Sequence, residues 1–417
     1  MTADPLVSAV PAAFRRHMAR SSGYVLGGQV LRISSTFTVL VILAHQLTRP
    51  AYASIVLFFL LVTIGSTVIR CGLPKACVRA IASALATDGR EGADRVARTG
   101  AVTVGLLALV SLPITDVVVH YLARDVLGDP VLTRLSWLVA GAISVEGYQL
   151  TIAEVFRGFH RVGTAVMLGY AARSALLVLA VIVLSGASAS SAASVLWVYL
   201  GCDAVPALVG SVMLVRFTSG SHSAKGRQSG DVARNPLAVG VALAVVEITT
   251  FFLTQGDSLV VGAVASHTDT ALYNTASRFA NLLAIPYFAT SLVLPPVVAG
   301  LWASGQHGRL ERTVRAGAFI GAVPVVVVYA VVAAFGAPIM GAVFGHGYRG
   351  AAAYFVILGI GPVLNAATGA AVTVLTMVGE QRLVAVLTVV ITCLTLGAEI
   401  ALGEEFGGVG VAVASAL

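Results

Sequence analysis

Apolar runs of about twenty residues recur along the whole chain, each bounded by a short polar or basic segment. A bilayer's hydrocarbon core takes ~20 helical residues to cross, so each run predicts one membrane-spanning helix. The predicted spans are 22–44, 52–70, 100–120, 133–156, 162–184, 192–215, 237–264, 271–298, 315–335, 351–378 and 382–402. A twelfth begins near Gly407. It has about eleven residues before Leu417, ~16 Å of helix, so it is expected to be cut short or incomplete. The first run holds Arg32 and is too long for a signal peptide, so it is read as a retained span. The expected fold class is an all-α polytopic membrane protein of about twelve spanning helices.

The basic residues fix an expected orientation. With the N-terminus in the cytoplasm and alternating sides, nineteen of the 26 Lys and Arg fall in cytoplasmic segments and four (Arg49, Arg124, Arg134, Arg349) fall outside. The remaining three, Arg32, Arg173 and Arg278, lie inside spans. The net charge of +7 therefore follows from topology and calls for no nucleic-acid partner. The hydrophobic share of 58% and charged share of 11% agree, because a soluble domain carries ~25% charged residues. The four cysteines form no metal or CxxC spacing and are expected as free thiols. Residues 216–235 are polar, basic and Gly/Ser-rich, a flexible cytoplasmic linker. It separates two expected units, 1–215 and 236–417, with six spans in the first and up to six in the second. A faint repeat agrees: Tyr52 precedes Pro74, and Tyr273 precedes Pro295, by the same interval.

Several motifs, in order, resemble the polysaccharide and oligosaccharide flippases of the multidrug/oligosaccharidyl-lipid/polysaccharide exporter superfamily. They are the stretch Asp257–Ser266 followed by Leu272, Tyr273, Arg278 and Asn281; Pro338 with Phe344, Gly345 and Tyr348; and Phe406–Gly410. In the first half they are Gly72-Leu73-Pro74 with Arg79, and Phe156 with Gly158 and Gly163. The resemblance covers nearly the whole chain. It implies two six-helix bundles around a central cavity that opens alternately to each side of the cytoplasmic (inner) membrane. The substrate it implies is a lipid-diphosphate-linked saccharide, with glycosyltransferases of the same pathway as further partners and no cofactor.

Charges at mid-bilayer cost ~2.5–3.5 kcal/mol on insertion scales and usually face a cavity or pair with each other. Gln29, Arg32 and Thr36 share one helix face, and Asn274, Arg278 and Asn281 share another. Glu247, Thr250, Thr254, Asp257 and Ser258 form a stripe on the seventh span. Arg173, Glu146 and Asp203 lie on the fifth, fourth and sixth. One reading is a wet cationic cavity in which Arg32, Arg278 and Arg173, with Gln29, Asn274 and Asn281, hold a diphosphate, since the guanidinium fork matches phosphate oxygens. The other is internal pairing, Arg278 with Asp257 or Arg173 with Glu146. For Asp257 and Glu247 the choice is ion coupling or pairing. Asn365 with Gly361-Pro362 in the tenth span predicts a kink or a tight helix contact rather than a ligand site, and Glu154 with Arg157 a plain interfacial pair. Segment 74–98 predicts a basic amphipathic helix against anionic lipid. No HExxH, GxSxG or P-loop pattern is present. The competing functions are a cation-coupled drug exporter, which would need an acidic aromatic cavity, and a membrane-embedded glycan polymerase or transferase, which would need a larger soluble loop.

Overall fold

The computed structural model of the chain describes residues 12–70, 72–186, 191–219, 236–283, 285, 298, 301–302, 304–368, 371–378 and 380–416. All regular elements among them are helical. The first two spans are α1 (Ala12–Gln46) and α2 (Arg49–Arg70). The chain then turns at Gly72, whose φ of 66° is left-handed and costs glycine nothing, and Pro74 opens the short α3 (Leu73–Thr87). On α3, Leu73, Cys77, Ile81 and Ala84 are buried on one face, while Lys75 and Arg79 are exposed.

The third span is α4 (Gly89–Tyr121), followed by a π-turn at Leu122–Val126 and the single-turn α5 (Pro130–Arg134). The Asp129 carboxylate caps α5, accepting from the Val131 and Leu132 amides at 2.9 and 3.0 Å. The fourth span is α6 (Ser136–Gly158). It is enclosed by α2, α3, α4 and the sixth span, which lets it keep Glu146 and Gln149 in its interior. The fifth span is α7 (Val162–Val166), a π-turn at Met167–Ala171, and α8 (Ala172–Gly186). The sixth is α9 (Ala192–Thr218), started by a capping box between Ser191 and Ser194. Residues 220–235 of the expected linker lie outside the described residues.

In the second half come α10 (Pro236–Val264), α11 (His267–Leu282), α12 (His307–Phe344), α13 (Ala351–Leu358), α14 (Ile360–Thr368), α15 (Ala371–Val378) and α16 (Gln381–Ala416). Most of the C-terminal half of the expected 271–298 span lies outside the described residues. Two proline effects reshape the sequence picture. The ninth span breaks at Phe335, where its end was expected, but α12 then resumes to Phe344. Pro338 causes the break, because its ring excludes the carbonyl four residues back. The tenth span is interrupted at Gly359, between α13 and α14, where Pro362 acts the same way on Leu358. The expected twelfth span is the second arm of α16. The chain reverses at Gly407 (φ 62°, ψ −143°), and the arm returns along the one before it. Any side chain at Gly410 would run into the Leu402 carbonyl, and Val411 and Ala412 are fully buried.

Eight helices among the described residues are long and apolar enough to cross a bilayer. Their outward faces are bare hydrocarbon. Leu106, Leu109, Val110 and Ile114 on α4 are each more than half exposed, a surface that only lipid covers without cost. Trp137 and Trp197, at the starts of α6 and α9, stack edge-to-face at 5.4 Å and are half exposed, as interfacial aromatic residues are. The largest core cluster joins α1 and α2 to α11, α12 and α13.

Candidate functional site

Two adjoining cavities, about 280 and 290 Å³, lie between the first-half helices and α10–α11. Both are lined by Arg32, Thr36, Gln255 and Arg278, so these four residues stand where the cavities meet. The larger polar lining belongs to the first, which also takes Gln29, Arg70, Tyr170 and Arg173. The second reaches Phe37, Leu40, Thr254 and Asn281.

The three intramembrane arginines sit in different electrical surroundings. Arg173 is paired with both Glu146, at 3.3 Å, and Asp203, at 2.9 Å. It also donates to the Tyr199 hydroxyl, which in turn donates to Glu146 at 2.7 Å. Both carboxylates are buried, and Asp203 has no well-aligned hydrogen bond among the described residues. Arg173 is therefore fully neutralised, by the expected partner Glu146 and by Asp203 as well. Arg32, by contrast, makes no ion pair with a carboxylate among the described residues: its Nε donates to Gln29 Oε1 at 3.0 Å and its guanidinium lies 6.0 Å from the Tyr170 ring. Arg278 has no hydrogen-bond or ion-pair partner among the described residues and faces both cavities.

The pairing of Arg278 with Asp257 is absent. Asp257 Oδ2 accepts from the Tyr273 hydroxyl at 2.7 Å and Oδ1 from the Ser258 amide at 2.7 Å. Tyr273 is fully buried and holds the Asp257 carboxylate at hydrogen-bonding distance. Asn274 is fully buried, donates to the Thr270 carbonyl at 3.0 Å, and lines neither cavity. Gln29 and Asn281 each line one. The side chain of Glu247 lies outside the described residues.

Sequence reasoning missed three contributors. Arg70 counted only as a topological charge, yet it lines the first cavity, held by the Ser66 carbonyl at 3.0 Å and Thr67 Oγ1 at 2.9 Å. Gln255 was overlooked, although a lone glutamine in an apolar span was a visible signal. The π-turn at Met167–Ala171 brings Tyr170 to the wall, and Gln149 donates to the Leu168 carbonyl that the turn leaves open. With four arginines on the first cavity and Glu146 and Asp203 against them, two positive charges remain in excess.

The cavities close toward the α1–α2 turn. Phe37 packs on Phe279 at 5.7 Å and Phe344 at 5.5 Å, and Tyr52 meets Tyr348 edge-on at 5.5 Å. These contacts join α1 and α2 to α11, α12 and the turn that follows it. The Glu154–Arg157 pair stands apart from the site, at 2.8 Å.

Among solved structures the fold is matched by an inward-facing multidrug resistance MATE family transporter of the MOP superfamily, with a TM-score of 0.73 at 17% identity, covering 92% of this chain and 90% of that one. A MOP superfamily transporter from Pyrococcus furiosus, described by the reverse polarity of its binding pocket, matches with a TM-score of 0.62 at 16% identity, covering 96% and 92%. The outward-facing conformation of a MATE family transporter also matches, with a TM-score of 0.62 at 16% identity and the same coverage. No curated protein matches the chain. A family profile described as "Polysaccharide biosynthesis protein" matches residues 18–302, more than half the chain. The chain belongs to that polysaccharide biosynthesis protein family, and it has the fold of the MATE transporters it resembles, with several helices long and apolar enough to cross a membrane.

Proposed function

We propose that the chain flips a polyprenyl-diphosphate-linked saccharide across the cytoplasmic membrane by alternating access. The observation that carries this reading is the excess of positive charge on the cavity wall, with Arg32 and Arg278 free of carboxylate partners among the described residues. A guanidinium stays charged at any working pH and offers a fork of donors to phosphate oxygens. The polar wall, with Gln29, Thr36, Gln255 and Asn281, suits saccharide hydroxyls. Arg173 shapes the wall through its acids rather than by holding the ligand. A cation exporter would need the opposite charge.

In this reading the N-terminus is cytoplasmic, and the halves 1–215 and 236–417 rock about the linker 216–235. The aromatic contacts of Phe37, Tyr52, Phe344 and Tyr348 then seal the outer side, and the cavity takes substrate from the cytoplasm. The lipid tail stays in the bilayer while the polar head crosses. The test is Arg→Ala at positions 32 and 278, scored for glycan export and for protein in the membrane. Export should be lost at normal protein levels. Loss of the protein itself would assign the arginines to the fold, and export of cationic drugs without glycan export would favour a multidrug carrier.

A further inference from the structure

A second, larger cavity lies on the lipid-facing side of the first half, away from the site above. It measures about 900 Å³ and is a groove floored by α6 and walled by α4 and α9. Both walls pack along α6 but touch each other little. They meet near one end, where Arg98 Nη2 donates to the Thr218 carbonyl at 2.7 Å. From there the groove runs past Leu106, Leu109 and Leu208, all more than half exposed, to Leu112. The fourteen residue steps from Arg98 to Leu112 cover about 21 Å of helix, more than the ~15 Å that one leaflet's hydrocarbon occupies.

We infer that this groove binds one anionic phospholipid of the leaflet at its basic end, an acyl chain along α6 and the phosphate at Arg98. Charge complementarity selects that occupant. Arg98 is exposed at the groove mouth and has no carboxylate partner among the described residues. Neighbouring acids are spent: Asp94 pairs with Arg90 at 3.0 Å and Glu154 with Arg157 at 2.8 Å. The mouth is built rigidly, because Phe217 is held between Arg90, 3.7 Å from its ring centre, and Arg161, at 4.2 Å. These contacts fix the end of α9 beside Arg98. The exposed Arg216 adds further positive charge there. A neutral lipid would fill the same hydrocarbon walls without using the arginine.

The full chain, purified in detergent, is examined by native mass spectrometry with equal amounts of phosphatidylglycerol and phosphatidylcholine of identical acyl chains. One phosphatidylglycerol should be retained in preference. Arg98→Gln should cut that preference about fivefold, the factor expected for one basic side chain at an anionic surface. Gly141→Phe should abolish retention of both lipids, because a side chain there points into open groove and meets no atom within 4 Å. An unchanged elution profile and melting temperature exclude misfolding, and the Arg98→Gln result stands alone if Gly141→Phe fails that control. Equal retention of the two lipids, an Arg98→Gln protein with unaltered preference, displacement by a polyprenyl phosphate but not by phospholipid, or a dimer in place of a lipid adduct would each overturn the assignment.

Discussion

Arg173→Ala should unfold the first half far more readily than Arg32→Ala, although both remove an arginine from the same cavity. Among the described residues Arg173 is the one base paired with Glu146 and Asp203, whose side chains are 6% and 0% exposed. Its removal leaves two buried carboxylates facing each other. Breaking one buried pair costs ~3–5 kcal/mol, and here one base serves two acids, so the upper end applies. At ~2–4 °C per kcal/mol for a domain the size of this half, the midpoint should fall by about 10–20 °C. Arg32 forfeits one hydrogen bond to Gln29, ~0.5–1.5 kcal/mol, or a few degrees. The assay is size-exclusion of detergent-solubilised protein after stepwise heating. The decisive control is the triple variant Arg173→Met, Glu146→Gln, Asp203→Asn, which carries no buried charge and should recover most of the loss. The reasoning is refuted if Arg173→Ala melts within a few degrees of Arg32→Ala, or if the triple variant melts no higher than the single one.

Two further outcomes follow from the topology and the aromatic seal. On a cysteine-free background, a cysteine at position 267 should react with an impermeant thiol reagent in intact cells and one at position 225 should not; labelling at 225 would reverse the orientation. Phe344→Ala removes the ring that Phe37 packs against, should cost ~3–5 kcal/mol, and should speed labelling of a cysteine at position 281 from outside. An unchanged labelling rate would show that the seal lies elsewhere.

The span map was legible because bilayer solvation writes long apolar runs and a basic asymmetry directly into the chain. Arg32, Arg173 and Arg278 stood out for the same reason: a charge in hydrocarbon is too costly to be idle. What each arginine touches was not legible. Helical spacing says which residues share a face, but not which face a neighbour covers. Thus Asn274, one turn from Arg278, is packed away from the cavity, while Gln255, on no predicted stripe, lines both pockets. The π-turn at Met167–Ala171 has no sequence signature, since its extra residue is accommodated by Gln149 from another helix. The continuation of α12 from Phe335 to Phe344 was not legible, because Pro338 is unfavourable inside a helix.

Asp257 and Arg278 supply the sharpest separation between neighbours in sequence depth and partners in energy. Equal depth on adjacent antiparallel helices suggests a salt bridge, yet Asp257 accepts from Tyr273 and from the Ser258 amide and makes no ion pair with Arg278. A charge swap tests the difference. If the two were a pair, Asp257→Arg combined with Arg278→Asp would restore what either single change loses. In the arrangement observed, Arg at 257 cannot accept from Tyr273 and places a guanidinium among buried side chains, at ~2.5–3.5 kcal/mol. Asp at 278 cancels the excess positive charge of the cavity wall and relieves nothing. With no direct ion pair to restore, the double change should recover only a small part of what Asp257→Arg loses. The swapped protein should accumulate little better than Asp257→Arg alone and should export nothing. Asp257→Asn, which keeps an acceptor for Tyr273, should fold normally. Full recovery of membrane protein in the swap, relative to Asp257→Arg, would show that the ion pair forms and that Arg278 is held by the fold rather than left to the substrate.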